Sequence, residues 1–155
     1  MSGARLLLAI AAFFLSFGQV WAGTAKDPAG IWLTQAGDAK IRISHCGTAL
    51  CGTIVWLKAP IDPATGKPQV DDKNVNPSLA KRPVIGINIF NRMKSVANNK
   101  WSGTIYNADD GKSYSSDVIV AGPRKLEVRG CVMGVLCGGE TWTKIGEVTL
   151  ADANN

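Results

Sequence analysis

Histidine is almost absent from this chain of 155 residues, and cysteine is scarce. His45 is the one histidine, and the four cysteines form two close pairs, Cys46 with Cys51 and Cys131 with Cys137. A zinc site of the common kinds would need a second histidine or tighter cysteine spacing, and a redox pair would need Cys-x-x-Cys. The sequence therefore predicts neither a metal nor a cofactor.

Long apolar runs are absent except at the start of the chain. Residues 6–17 are apolar or small, they follow Arg5, and Val20-Trp21-Ala22 resembles a signal-peptidase site. The run is short for a transmembrane helix. We predict a signal peptide over residues 1–22 and one domain over residues 23–155 that is exported, with no stable membrane insertion after cleavage. N-terminal sequencing of the exported protein tests this prediction.

A strong excess of charge is also absent. The net charge of +5 includes Arg5, and the basic residues are scattered along the chain. This pattern excludes an obvious nucleic-acid partner and suits a protein beside an anionic envelope. The length supports a single core, whereas the sequence does not determine the oligomeric state.

Helical periodicity is nearly missing, whereas strand-like alternation is common, as in Lys40-Ile41-Arg42-Ile43-Ser44. Short turns separate such runs, and one of them is Asp109-Asp110-Gly111. Eight strands are predicted, over residues 30–35, 39–46, 51–58, 84–92, 101–107, 113–120, 125–131 and 138–145. Strands linked mainly to their neighbours favour an all-β, up-and-down barrel, with an open two-sheet sandwich as the alternative.

One connection, residues 59–83, is long. Asn76 and Pro77 predict a single helical turn within it. A connection of this length is either functional or a solvated excursion.

The cysteine pairs flank short loops. Residues that close a hairpin face each other within disulfide reach, so the preferred pairing is Cys46–Cys51 and Cys131–Cys137. Pairing between the two loops remains open, because sequence alone does not fix connectivity.

Two resemblances add to this interpretation. Gly30-Ile31-Trp32 resembles the first-strand motif of the calycins, the lipocalin-type barrels, in which a basic residue of the last strand covers the tryptophan. That residue would be Lys144 here, in place of the usual arginine.

The chain from about residue 27 to 145 also resembles an exported bacterial family of uncharacterised proteins, domain of unknown function 2147. The stretches that carry this resemblance include Leu50-Cys51-Gly52-Thr53-Ile54-Val55-Trp56-Leu57, Asp71-Asp72-Lys73-Asn74-Val75-Asn76-Pro77, Trp101-Ser102-Gly103-Thr104-Ile105-Tyr106-Asn107 and Glu140-Thr141-Trp142-Thr143-Lys144. The resemblance implies a small exported β-barrel in the bacterial periplasm or medium, and it supplies no catalytic residues.

No catalytic constellation is apparent, because a triad would have to be built around His45. The expected function is therefore non-catalytic: a barrel that binds a small apolar ligand in or at its mouth. The expected lining residues are Trp56, Trp101, Tyr106 and Tyr114. The alternative is an interaction module, an inhibitor or envelope-assembly factor, that binds an envelope protein through the long loop and has a packed interior. Its candidate residues are Asp71, Asp72, Asn74, Asn76 and Arg82, a set whose oxygens lack the spacing of a calcium loop.

Overall fold

The computed structural model describes residues 27–132 and 136–148, so the predicted leader lies outside the described residues. Eight antiparallel strands follow one another along the chain. They are β1 (Gly30–Leu33), β2 (Ala39–Cys46), β3 (Ala49–Leu57), β4 (Asn88–Ala97), β5 (Lys100–Asn107), β6 (Lys112–Gly122), β7 (Lys125–Val132) and β8 (Leu136–Gly146). The predicted strand count is confirmed.

Each strand pairs with the next, and β8 pairs with β1, which closes the barrel. The closing contact joins Trp32 to Lys144 and Leu33 to Thr143. Closure leaves no continuous sheet edge of the kind that a sandwich would expose. The predicted up-and-down barrel is confirmed, and the sandwich alternative is wrong.

The fourth strand differs from the prediction at both ends. Residues 84–87 form a turn with Gly86 at φ 102°, so the strand starts only at Asn88. It continues past Arg92, which takes a left-handed φ of 59° where the register with β5 shifts. Such a bulge holds one unpaired residue without ending the strand.

The two ends of the barrel are built differently. The up-and-down order places the β1–β2, β3–β4, β5–β6 and β7–β8 connections at one end, here called the open end. The opposite end of the barrel is here called the closed end. The halves next to these ends are called the open half and the closed half, and large buried side chains fill the closed half. The buried core includes Trp32, Ile43, Leu50, Phe90, Met93, Trp101, Val118, Leu126 and Trp142.

Both disulfides form within their own hairpins, as predicted. Cys46 bonds to Cys51 at the closed end, and Cys131 bonds to Cys137 at the open end. In the part of the chain that the structure describes, no helix is long and apolar enough to cross a lipid bilayer.

Candidate functional site: a cavity at the open end

A cavity of about 800 Å³ occupies the open half of the barrel. Its apolar lining comes from six strands and from the long connection. The lining side chains include Ile41, Ile54, Leu57, Val84, Ile89, Ile105, Val128 and Trp142. Polar groups stand nearer the mouth, among them Asp38, Lys58, Asp109 and Glu140. The size and the mixture of many apolar groups with few polar ones are those of a small-molecule site.

Two of the four predicted lining aromatics line the cavity. Tyr106 and Tyr114 do, from β5 and β6. Trp101 is only 8% exposed and belongs to the packed core instead. Trp56 is absent from the lining, and its ring lies under Lys40 Nζ at 4.4 Å. Contrary to the prediction, the structure therefore places neither Trp101 nor Trp56 in the lining of this cavity.

A bulge explains the position of Trp56. Trp56 pairs with Lys40, but the next pair joins Ile54 to Ile41, so Val55 is an extra residue in β3. Without the bulge, Trp56 would share the inward face of Ile54, because strand side chains alternate with a period of two. With it, Leu57 faces the cavity and Trp56 faces outward beside Lys40.

One wall of the cavity is almost free of side chains. Gly130 and Gly138 pair across β7 and β8, and both line the cavity. A Cβ atom at Gly138 would meet nothing within 4 Å. Ser116 pairs with Gly130 and lies on the same face as Tyr114, one inward position deeper. Its hydroxyl is buried and has no hydrogen-bond partner among the described residues. The sequence offered no signal for this wall, because glycines also occur at most of the turns.

An aromatic pair lies deeper in the barrel. Trp142 is 2% exposed, stacks on Phe90 with ring centroids 6.4 Å apart, and borders the cavity. Its Nε1 donates a 2.5 Å hydrogen bond to Glu140 Oε1. Phe90 in turn lies over Gly52, where a Cβ would come within 2.4 Å of the ring. The cavity therefore has an aromatic boundary whose one polar atom is already paired.

The long connection is held to the barrel by a buried carboxylate. Asp71 is fully buried and accepts a 2.5 Å hydrogen bond from the Tyr106 hydroxyl on Oδ1. Its Oδ2 accepts hydrogen bonds from Asn74 Nδ2 and Arg82 Nε, both at 2.9 Å, and pairs with Arg82 Nη2 at 2.8 Å. Arg82 also lies 5.4 Å from the centre of the Tyr106 ring. These contacts give the carboxylate a structural role.

The other predicted loop residues do not join this cluster. Asp72 is exposed, and its one ion-pair partner among the described residues is its neighbour Lys73, at 3.2 Å. Asn76 caps the predicted helical turn, because its Oδ1 accepts from Ser78 N and its carbonyl accepts from Ala80 N. The oxygens of Asp71 are occupied by protein donors, which leaves no cluster of free oxygens for calcium. Among the described residues, no group of three His, Cys, Asp or Glu side chains could hold a metal ion.

The cavity tyrosines are held in their neutral form. Burial, followed by the hydrogen bond to Asp71, raises the pKa of Tyr106. Tyr114 donates its hydroxyl to the Asp110 carboxylate, which raises the pKa of Tyr114 and lowers that of Asp110. Both hydroxyls are therefore un-ionised at neutral pH, and each donates a hydrogen bond to a carboxylate.

The remaining predicted residues lie at the closed end. His45 Nε2 lies 2.9 Å from Asp27 Oδ1, and both side chains are exposed. Trp32 is 1% exposed, and its Nε1 donates to the Pro28 carbonyl at 2.8 Å. Lys144 Nζ lies 6.0 Å from the centre of the Trp32 ring and 2.7 Å from Glu147. The structure thus places Lys144 beside Trp32, at the opposite end from the cavity.

A lipocalin-type structure is similar to this barrel. The solved structure of protein HP1028 from Helicobacter pylori, described as belonging to the lipocalin family, aligns with a TM-score of 0.64 at 21% identity. The alignment covers 77% of this chain and 83% of that chain. At this identity the likeness establishes the fold alone, and it supports the calycin resemblance of Gly30-Ile31-Trp32.

No curated protein matches the chain. A family described as an uncharacterized protein conserved in bacteria, DUF2147, matches residues 30–144, which span the barrel from the start of β1 to near the end of β8. The chain therefore belongs to this bacterial family, and its fold is a lipocalin-like barrel.

Proposed function

We propose that this protein is a non-catalytic, exported binding protein that holds a small, largely apolar ligand in the open half of its barrel. The observation that carries the proposal is the cavity of about 800 Å³ with its apolar lining. Burial of an apolar ligand there would gain roughly 25 cal/mol for each Å² removed from water. The two disulfides and the predicted leader support export, since such bonds persist outside the cytoplasm.

The wall of glycines favours a ligand with a flat apolar portion. Gly130 and Gly138 leave the backbone bare, so a ring can lie against it at van der Waals distance. Ser116 pairs with Gly130 beneath this wall, but its hydroxyl is buried and does not line the cavity, so the room for the ligand comes from the two glycines.

Native mass spectrometry of protein purified from its own envelope, and displacement of a fluorescent apolar probe, test the proposal. The decisive variant is Gly138→Leu, which places a side chain into open space within the cavity. We expect it to weaken binding about tenfold or more, since it removes room for part of the ligand. Thr143→Leu is the matched control, because it adds the same side chain to the exposed face of the same strand. Equal binding by both variants would contradict the proposal.

A further inference from the structure

The connection between β3 and β4 forms a small ribbon across the open end, here called the mouth ribbon (residues 60–62, 67–71 and 82–84). Ile61 forms an antiparallel bridge with Pro68, and Val70 forms one with Pro83. Backbone hydrogen bonds from Gln69 N to the Pro60 carbonyl and from Val84 N to the Gln69 carbonyl tie the three segments together. The ribbon is therefore an ordered sheet with two distinct faces.

The inner face covers the cavity. Gln69 and Val84 both line it, and Val84 is 8% exposed. Gln69 directly follows Pro68, and Val84 directly follows Pro83. Neighbouring side chains of an extended chain point to opposite faces, so the two prolines lie on the outer face of the ribbon, away from the cavity. One face of the mouth ribbon thus belongs to the site described above.

The outer face is apolar and uncovered. Bridge partners lie on the same face, and Pro68 and Val70 are two residues apart, so the four bridge residues form one continuous patch. Ile61 is 47% exposed and Val70 is 41% exposed, and both prolines are exposed. Ile85, just beyond Pro83, is 43% exposed. Exposed apolar patches of this kind mark surfaces that bind another molecule.

Three exposed lysines lie within three residues of this patch in the sequence. Lys58, Lys67 and Lys81 are exposed, and in the described part of the chain none of them has an ion-pair partner. Lys67 directly precedes Pro68, and Lys81 lies two residues before Pro83. The one acidic residue within the turn of the ribbon, Asp62, accepts a hydrogen bond from Ala64 N. The nearby Asp72 is exposed but pairs with Lys73. Exposed apolar side chains with unpaired lysines close to them in the chain complement an anionic lipid surface, where apolar groups enter the interface and lysines meet headgroups.

We propose that the outer face of the mouth ribbon docks on the surface of an anionic lipid bilayer. Docking through this face brings the cavity mouth against the lipid, because the opposite face of the same ribbon lines the cavity. The attachment is peripheral, since only a few side chains reach the interface. This proposal goes beyond ligand binding and stands on separate residues.

Flotation with lipid vesicles tests the proposal, with the chain from residue 23 onward, which keeps every described strand and lacks the apolar leader. Vesicles of phosphatidylcholine with phosphatidylglycerol should carry the protein at low salt, and vesicles of phosphatidylcholine alone should carry about tenfold less or none. Salt should weaken the attachment, because it screens the lysines.

Two paired variants locate the surface. The first double variant combines Ile61→Asp and Val70→Asp, and the second combines Lys67→Glu and Lys81→Glu. Each should reduce flotation about tenfold or more. Val96→Asp with Lys125→Glu is the control: Val96 is 57% exposed, Lys125 is exposed, and both lie near turns at the closed end. The control should float like the original protein.

Three results would overturn the proposal. The first is no flotation with anionic vesicles at low salt. The second is flotation that the ribbon variants leave unchanged. The third is a dimer in the absence of lipid that the ribbon variants dissociate, which would assign the face to a second copy of the chain. Probe binding in solution by the same variants should stay unchanged, so a failure of docking is distinguishable from a failure of ligand binding.

Discussion

Replacement of Asp71 by asparagine should loosen the long connection and destabilise the barrel. The Asp71 side chain is fully buried, and four donor groups from Tyr106, Asn74 and Arg82 bind its two oxygens. Asparagine keeps the size but removes the charge, and its amide would point a donor toward donors. The change tests whether this carboxylate holds the connection in place.

The size of the effect follows from the surroundings of the two charges. Removing one partner of a buried ion pair costs about 3–5 kcal/mol. Arg82 keeps 34% of its side chain exposed, so water can recover part of its hydration. We therefore expect the lower end, about 3 kcal/mol. With a urea dependence of about 2 kcal/mol per M, the unfolding midpoint should fall by about 1.5 M.

Asp72→Asn is the matched control, since it makes the same chemical change one residue later. Asp72 is 63% exposed and, within the described ranges, forms an ion pair with Lys73 alone, so its replacement should change stability by no more than about 0.5 kcal/mol. Urea unfolding followed by tryptophan fluorescence measures both variants. Equal midpoints for the two variants would refute the structural role of Asp71, and the Arg82 contacts would then be incidental.

Two further predictions concern other parts of the barrel. Trp32→Ala should lower the free energy of unfolding, measured with denaturant, by about 3–5 kcal/mol, because a buried indole is lost. Lys144→Met should lower it much less, since the methionine side chain still covers the ring. Equal losses for the two variants would argue against this account. Asp117 accepts hydrogen bonds from Lys100 and Ser102, which lower its pKa below the ordinary 3.8. Its stabilisation is therefore present above that value and is lost as the pH falls through the lowered pKa. Thermal unfolding below about pH 4 should be less pH-dependent in Asp117→Asn than in the original protein.

Local patterns predicted the barrel well. Alternation located all eight strands, and the short turns between them indicated neighbouring antiparallel pairs. The same reasoning placed the two disulfides, because a residue pair that closes a hairpin is within reach of a bond. Strand order then brought Trp32 beside Lys144, which are 112 positions apart in sequence but adjacent in the closed sheet.

Bulges and distant contacts limited the prediction of the site. The extra residue at Val55 reverses the face of Trp56, and nothing in the local composition marks a bulge. The left-handed Arg92 likewise extends β4 beyond its predicted end. Asp71 meets Tyr106 across 35 positions, so sequence patterns assigned the two residues to different candidate sites.

Whether a barrel of this size is hollow depends on the order of large and small residues along its axis. Val118 and Val128 are neighbours in register on β6 and β7 and both belong to the buried core, yet of the two only Val128 borders the cavity. Aliphatic composition therefore does not distinguish core from cavity. Whether a given layer of the barrel is packed or hollow depends on the side chains in the neighbouring layers along the barrel axis. Toward the closed end, tryptophan, phenylalanine, methionine and leucine fill the interior. Toward the open end, Ser116, Gly130 and Gly138 form one row across three strands and contribute almost no volume. Because this row becomes visible only once the register is known, the position of the cavity follows from the sequence through the strand pairing, and not from any motif within a single strand.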